Sequence, residues 1–215
     1  CLNHHRQGIS VTGAKNLLMI NCRFNNTSGT APQCGIDYEP NYARFSVVNC
    51  VAENCEFNGN ALAGACLSLG QLDATSEPVS IRFENCRILG NQMGVLVTSL
   101  GAGTAAGTGR IEFVGCRIGD NPGASFSLGD YRASNMAFTV KDCLIDNRRS
   151  ETEGLRISSG GTEHLSGIRI EGLTVLDDAT NRPPIRFISR FSNGLLNPAV
   201  SNVIARTSAG VETAF

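Results

Sequence analysis

About every thirty residues this chain returns to the same short pattern, and that recurrence restricts its fold more than any other feature. The first frame is Asn21-Cys22-Arg23-Phe24. It returns as Asn54-Cys55-Glu56-Phe57, Asn85-Cys86-Arg87-Ile88, Gly115-Cys116-Arg117-Ile118 and Asp142-Cys143-Leu144-Ile145. Gly172-Leu173-Thr174-Val175 and Asn202-Val203-Ile204-Ala205 continue it, with steps of 33, 31, 30, 27, 30 and 30 residues. A second frame, a small residue followed by alternating apolar ones, begins at Gly8-Ile9-Ser10-Val11 and keeps pace in steps of 27, 29, 30, 30, 30 and 30. Two columns drifting together define a repeat architecture, in which each unit buries its apolar face only against its neighbours.

A third column lies five and three residues before each cysteine position: Leu17/Met19, Cys50/Ala52, Ile81/Phe83, Ile111/Phe113, Phe138/Val140, Ile168/Ile170 and Pro198/Val200. A spacing of two sends side chains to one face of a strand, and no segment sustains the helical period of 3.6. Each repeat therefore predicts three short strands of about 3–5 residues. The fold class is all-β: a single-stranded parallel β-helix (solenoid) of about seven rungs, one domain over residues 1–215. In the fifth rung the second frame reads Ala124-Ser125-Phe126-Ser127, and the third to fifth rungs slip in parity. Rungs stacked about 4.8 Å apart align like residues into ladders. The column Asn21, Asn54, Asn85 and Asn202, with Gly115 and Gly172 substituting, marks a corner that needs left-handed backbone, which Asn and Gly tolerate.

The repeat also reinterprets the nine cysteines. Cys22, Cys55, Cys86, Cys116 and Cys143 point inward and give way to Leu173 and Val203 in later rungs, so they read as small apolar core filler. The Cys-x₂-Cys spacing of a metal site is absent. Cys34 and Cys50 fall outside the ladder and are candidates for a disulfide with each other. Eighteen basic residues against nineteen acidic ones give a net charge of −1, without the basic surface that nucleic-acid binding requires. No apolar run approaches the roughly 18 residues of a membrane span. Residues 1–5 show no apolar leader-type run. Leu18 and Ile20 face outward in the first rung, Gly210-Val211-Glu212-Thr213 reads as the start of an eighth, and neither end shows a polar cap. The expectation is a segment of a longer chain.

These columns, over the whole chain, resemble the right-handed parallel β-helix, or pectin-lyase-like, superfamily. The stretch from Arg6-Gln7-Gly8-Ile9-Ser10-Val11 to Gly35-Ile36-Asp37-Tyr38-Glu39-Pro40-Asn41 is similar to a segment common in bacterial carbohydrate-active β-helix proteins. The superfamily includes polysaccharide lyases, glycoside hydrolases, epimerases and phage tailspikes. The resemblance thus implies a right-handed coil, a polysaccharide or oligosaccharide partner, and an extracellular or cell-surface location. It stops at the superfamily. The Asn-Thr-Asp, paired-Asp, Gly-His-Gly and Arg-Ile-Lys elements of polygalacturonases are absent, as is the Asp-Pro-His-Glu of mannuronan epimerases. A Trp-x-Asp-His motif is impossible in a chain with no Trp. Fold alone does not select a function.

In this superfamily the ligand groove runs over the outer face of one strand column and the loops beside it. The Gly-led column matches best, because the long segments Glu39–Asn49, Gly70–Val79 and Thr98–Arg110 follow it. In rung two, alternation turns Ile36 and Tyr38 inward and Asp37 and Glu39 outward, with Cα atoms about 6.5–7 Å apart. Such a pair can act as acid and base, or as acid and nucleophile, in glycosidic cleavage. It can also bind calcium, whose ligands are hard oxygens. Two crowded carboxylates raise one pKa, as a general acid requires.

Arg6, on the same parity one rung away, suits a uronate carboxylate, and Tyr42 and Arg44 are placed to contact sugar. His4 and His5 offer a base. Arg156, Arg186 and Arg190 extend a basic stripe, in a chain with 16 Arg against 2 Lys. Gly101–Gly109 lacks a P-loop ending, Glu163 with His164 is too sparse for a metal, and no Gly-x-Ser-x-Gly elbow exists. With the resemblance, these residues point to an enzyme that cleaves glycosidic bonds of a uronate-containing polysaccharide, as hydrolase or lyase. The alternative is a non-catalytic adhesion, tailspike or surface-binding module, which the scarcity of aromatic residues (6%) favours.

Overall fold

The computed structural model describes residues 1–99, 107–129, 136–159, 166–189 and 197–214. The described residues form strands of two to seven residues and no helix. Three long sheets share one interior, parallel except at the last strand of the third, and a two-stranded parallel sheet pairs Ala14–Lys15 with Val47–Val48. The first sheet orders Gln7–Val11, Cys34–Tyr38, Ala63–Ser68, Met93–Ser99, Phe126–Leu128, Leu155–Ser159 and Ile185–Ser189 from one end to the other. The second runs in the same sense from Leu18–Ile20 through Cys50–Glu53, Val79–Glu84, Gly109–Val114, Met136–Lys141 and Ile168–Glu171 to Ala199–Ser201. The third begins at Arg87–Leu89 and ends near Ile204–Arg206, and single bridges Arg23–Glu56 and Glu56–Arg87 carry it into the early rungs. Seven strands in each of the first two sheets make the expected seven-rung parallel solenoid.

Register explains the sequence columns. In the second sheet Met19 pairs with Ala52, Ala52 with Phe83, Phe83 with Phe113, Phe113 with Val140 and Val140 with Ile170. Its strands Val79–Glu84 and Met136–Lys141 alternate buried and half-buried residues, as a sheet with one wet face must. The buried side chains form one continuous core from Val11 to Val203, with Phe83 and Phe113 stacked at 4.7 Å between centroids. The corner column adopts positive φ at Asn21, Asn54, Asn85, Gly115, Asp142, Gly172 and Asn202, between 51° and 63°. Asp142 was not in the expected Asn/Gly set, and Asp is the next residue type that tolerates this conformation.

Two expectations need correction, and the expected parity slip is located: in the fifth rung Phe126, not Ser125, pairs with both Val95 and Leu155. The slip keeps a large apolar ring in the core. Cys34 bonds to Cys66 (Cα–Cα 6.4 Å), while Cys50 remains a free, fully buried thiol. Cys50 belongs to an inward column of the second sheet, and Cys34 and Cys66 meet on the outer side of the first. Finally, Glu212–Ala214 does not open an eighth rung. It folds back antiparallel on Ile204–Arg206, with Arg206 Nε 2.8 Å from Glu212. The inward cysteine ladder itself holds: Cys55, Cys86, Cys116 and Cys143 are buried, and Cys22, in the first described rung, is half-buried.

A second polar ladder accompanies the cysteines. Asn60 Oδ1 accepts the Thr27 amide, Asn91 Oδ1 the Asn60 amide, and Asn121 Oδ1 the Asn91 amide, at 2.8–3.0 Å. Further along, Asn147 Nδ2 donates to Asp177 at 2.8 Å. These side chains satisfy backbone donors at a buried corner, where an unpaired group would cost free energy.

Candidate functional site

One side of the first sheet departs from its own alternation. All five residues of Cys34–Tyr38 are buried, although the outward members should meet solvent. The outward row through Asp37 reads Ser10, Asp37, Cys66, Leu96, Ser127, Arg156 and Arg186 in register. Across the second to fourth rungs a small apolar cluster covers this face. It comprises the Cys34–Cys66 pair and Ala63, with Leu62, Met93 and Leu96 packed against them. Asp37 lies at its edge and is only 3% exposed.

A cleft of about 280 Å³ opens over Asp37, with Arg6 and Pro32 on one side, Leu62, Cys66 and Leu96 across from them, and Glu39 beside it. A second hollow, lined by Glu39, Asn41, Ser68 and Gln71, shares Glu39 and Ser68 with the first, so the two form one groove that passes Asp37 and Glu39. Ser68 and Thr98 hydroxyls share a 2.7 Å hydrogen bond at its side. Arg6 is anchored by Nε donating to the Ala31 carbonyl at 3.1 Å.

The electrostatics of Asp37 are those of a proton donor. Its Oδ1 is buried and has no hydrogen-bond partner. Burial first, then the neighbouring Glu39 carboxylate, push its pKa up to about 6, while the Arg6 charge acts in the opposite sense. Glu39 is half-buried and makes no hydrogen bond or ion pair among the described residues. Two adjacent carboxyls in unequal surroundings separate into acid and base roles.

The structure unites Asp37, Glu39 and Arg6, and moves the other sequence candidates elsewhere. Arg44 and Phe45 line a separate hollow with Thr12, Lys15 and Ser46, and Arg44 stacks on Tyr42. His5 turns to Thr30, with Nδ1 3.3 Å from its hydroxyl, and lines none of these hollows. The basic stripe is partly neutralised, because Arg186 pairs with the buried Glu153 at 2.9 Å. Arg190, Glu163 and His164, with most of Gly101–Gly109, lie outside the described residues. The groove wall also contains residues that sequence reasoning missed: Leu62, Cys66, Leu96, Ser68 and Thr98. Cys66 carried a signal, since a cysteine on an outward parity cannot belong to the interior ladder. The donor set for calcium is thin: two carboxylates beside an arginine, where calcium takes 6–8 oxygens. Among the described residues no three His, Cys, Asp or Glu side chains gather to hold a metal.

A family model described as a right-handed beta helix region matches residues 2–181. Comparison with curated proteins and with solved structures gave no match. No helix among the described residues is long and apolar enough to cross a membrane.

Proposed function

The chain belongs to the right-handed β-helix family, and from that premise we propose that it cleaves glycosidic bonds of a uronate-containing polysaccharide in the groove over Asp37 and Glu39. The observation that carries this reading is Asp37 itself: a buried, unpartnered carboxyl at the floor of an open groove, with its pKa pushed up to about 6. Structural carboxylates at that depth are paired; an unpaired one is a functional-site signal.

In the proposed reaction Asp37, protonated, donates its proton to the glycosidic oxygen as the C–O bond breaks, so that the leaving sugar departs as a neutral alcohol. Glu39 supplies the second role. In a hydrolase it deprotonates the attacking water, or attacks the anomeric carbon and is released by water. In a lyase it removes the proton beside the uronate carboxylate, and the electron pair forms a carbon–carbon double bond. Arg6 binds the substrate carboxylate in either case. The Cys34–Cys66 pair supports a location outside the cytoplasm, because disulfides persist in oxidising compartments.

The test is cleavage of uronate-containing polysaccharides by the parent, Asp37→Asn and Glu39→Gln. A product with ultraviolet absorbance identifies a lyase, and reducing ends without it a hydrolase. Undiminished cleavage by both variants would falsify the site. One observation favours a non-catalytic binding module: Tyr42 is the only large aromatic side chain strongly exposed among the described residues, so stacking platforms for sugar are few. Binding with no product from any polysaccharide would select that reading.

A further inference from the structure

We infer that the hollow beside the first rung is a second, non-catalytic subsite, which binds the carboxylate of an acidic sugar through Arg44. Its volume is about 380 Å³, and its lining includes Thr12, Lys15, Arg44, Phe45 and Ser46. The guanidinium of Arg44 lies 4.3 Å from the centroid of the Tyr42 ring and 5.3 Å from that of Phe45. The two rings meet edge to face at 5.3 Å, so the guanidinium rests against a pair of packed rings. Stacking engages the face of a guanidinium and leaves its in-plane N–H donors available. Among the described residues those donors have no hydrogen-bond or ion-pair partner.

The other cation of this hollow is already engaged, since Lys15 pairs with Glu77 at 2.7 Å, while Arg6, in the neighbouring groove, uses only its Nε on the Ala31 carbonyl. Glu77 also accepts from Ser46, and Ser76 Oγ donates to the Ala43 carbonyl at 2.7 Å. The third-rung loop therefore braces the segment that presents Arg44. No carboxylate lines the hollow. A preorganised planar fork with free donors, facing an open hollow without acid, fits a planar carboxylate better than a neutral sugar. Only Pro40 and Asn41 separate Glu39, in the groove, from Tyr42, so an occupant of this subsite would sit beside the groove. The kind of anion rests on the polysaccharide reading above; the site's existence does not depend on the chemistry assigned to Asp37.

The experiment is calorimetric titration with an α-1,4-linked galacturonate hexamer, in the Asp37→Asn background to suppress turnover, with the fully methyl-esterified hexamer as the neutral probe. Arg44→Gln should weaken binding of the acidic hexamer about tenfold or more, the scale of a charge-assisted bidentate contact. Arg44→Lys should recover little, because the charge returns without the fork or the stack. The esterified hexamer should bind the parent and Arg44→Gln alike. Arg44 is exposed, and unchanged thermal unfolding of Arg44→Gln confirms that the fold is intact. Equal affinity of the two proteins for the acidic hexamer overturns the proposal, as does no binding of that hexamer. If Asp37→Asn still cleaves while affinity depends on Arg44, the groove chemistry fails and the subsite stands.

Discussion

Asp37 in the second rung and Asp146 in the fifth are carboxylates hidden to the same degree, 3% and 4% exposed, and their surroundings are opposite. Both oxygens of Asp146 are taken by Arg148, Nε at 2.8 Å and Nη2 at 2.6 Å, with Arg117 a further 3.7 Å away. Those contacts hold its pKa below the usual range. Asp37 has a cation nearby in Arg6 but no contact with it, and its pKa rises. The later rungs repeat the first solution: Asp177 binds Arg182 at 2.6 Å and Glu153 binds Arg186 at 2.9 Å. Burial alone therefore does not mark a site in this chain. Burial without a partner does, and among Asp37, Asp146, Glu153 and Asp177 that describes Asp37 alone.

The largest expected effect follows from that contrast. Asp37→Asn should lower the rate of glycosidic cleavage by about 10²–10⁴-fold, the contribution of a positioned general acid. Asp146→Asn should leave the rate within about twofold, because its partners lie in the third sheet and its corner. Comparable rate losses in the two variants would dissolve the distinction. The pH profile adds a check on sign. Asp37 donates only while protonated, so activity limited by it should fall as pH rises through about 6.

Stability should move in opposite directions. A carboxylate whose folded pKa is raised binds its proton more tightly when folded, so its cost is absent below about pH 4, grows between about 4 and 6, and is complete above 6. The shift sets an upper bound of about 3 kcal/mol, and an unpaired amide returns part of it, so Asp37→Asn should gain about 1–2 kcal/mol at pH 7.5. Asp146, with its lowered pKa, contributes stability above the unfolded value and loses it as pH falls through the folded one. Asp146→Asn should cost about 1–3 kcal/mol at pH 7.5, reduced from the fully buried case because Arg148 is partly in water. Urea unfolding of both variants at pH 7.5 and pH 4 measures all four values. A destabilised Asp37→Asn would mean that the carboxyl has a partner after all.

The contrast between these aspartates was half legible in the sequence. The 30-residue step gave the solenoid, the outward parity gave Asp37 and Glu39, and crowding of two acids gave the sense of the pKa shift. The larger cause, burial, was not readable, because it comes from Leu62, Leu96 and Cys66, which belong to other rungs. Parity could not pair Cys34 with Cys66, since Cys34 lies on the inward count of its strand and Gly35 intervenes before the regular alternation. Tyr42 and Arg44 were close to Glu39 in sequence, but Arg44 lines another hollow with Tyr42 stacked on it, as a loop's direction is set by its braces at Ser76 and Glu77. One legible signal went unread. Asn60, Asn91 and Asn121 each follow a ladder cysteine by five residues.

If burial by the outer apolar cluster sets the properties of Asp37, weakening that cluster should make Asp37 more like an ordinary aspartate. The double variant Cys34→Ser, Cys66→Ser removes the covalent link between the second and third rungs beside it. Water reaching the carboxyl should lower its pKa by up to about one unit, moving the alkaline limb of the activity profile downward. The corresponding limb in the parent should be unaffected by mutations at Arg148, which touches only the later site. An unmoved limb in the double variant would assign the shift to Glu39 instead.

The smallest effect lies one residue further along the same strand, inside the coil. Tyr38 is fully buried, and its hydroxyl has no hydrogen-bond partner. Burial holds the phenol neutral by raising its pKa. Unlike Asp37, it faces the core, where no ligand can use it, and its ring packs edge-on to Phe83 at 6.3 Å. An unsatisfied buried hydroxyl costs desolvation without a return, whereas Asn60, buried equally in the same rung, is paired by both amide and side chain. Tyr38→Phe keeps the ring and deletes the liability. It should raise stability by about 0.5–1 kcal/mol, or about 1–4 °C in Tm for a chain of this length, with no change in cleavage rate. A loss of stability would show that the hydroxyl is satisfied, by an internal water bridging it toward the cysteine ladder.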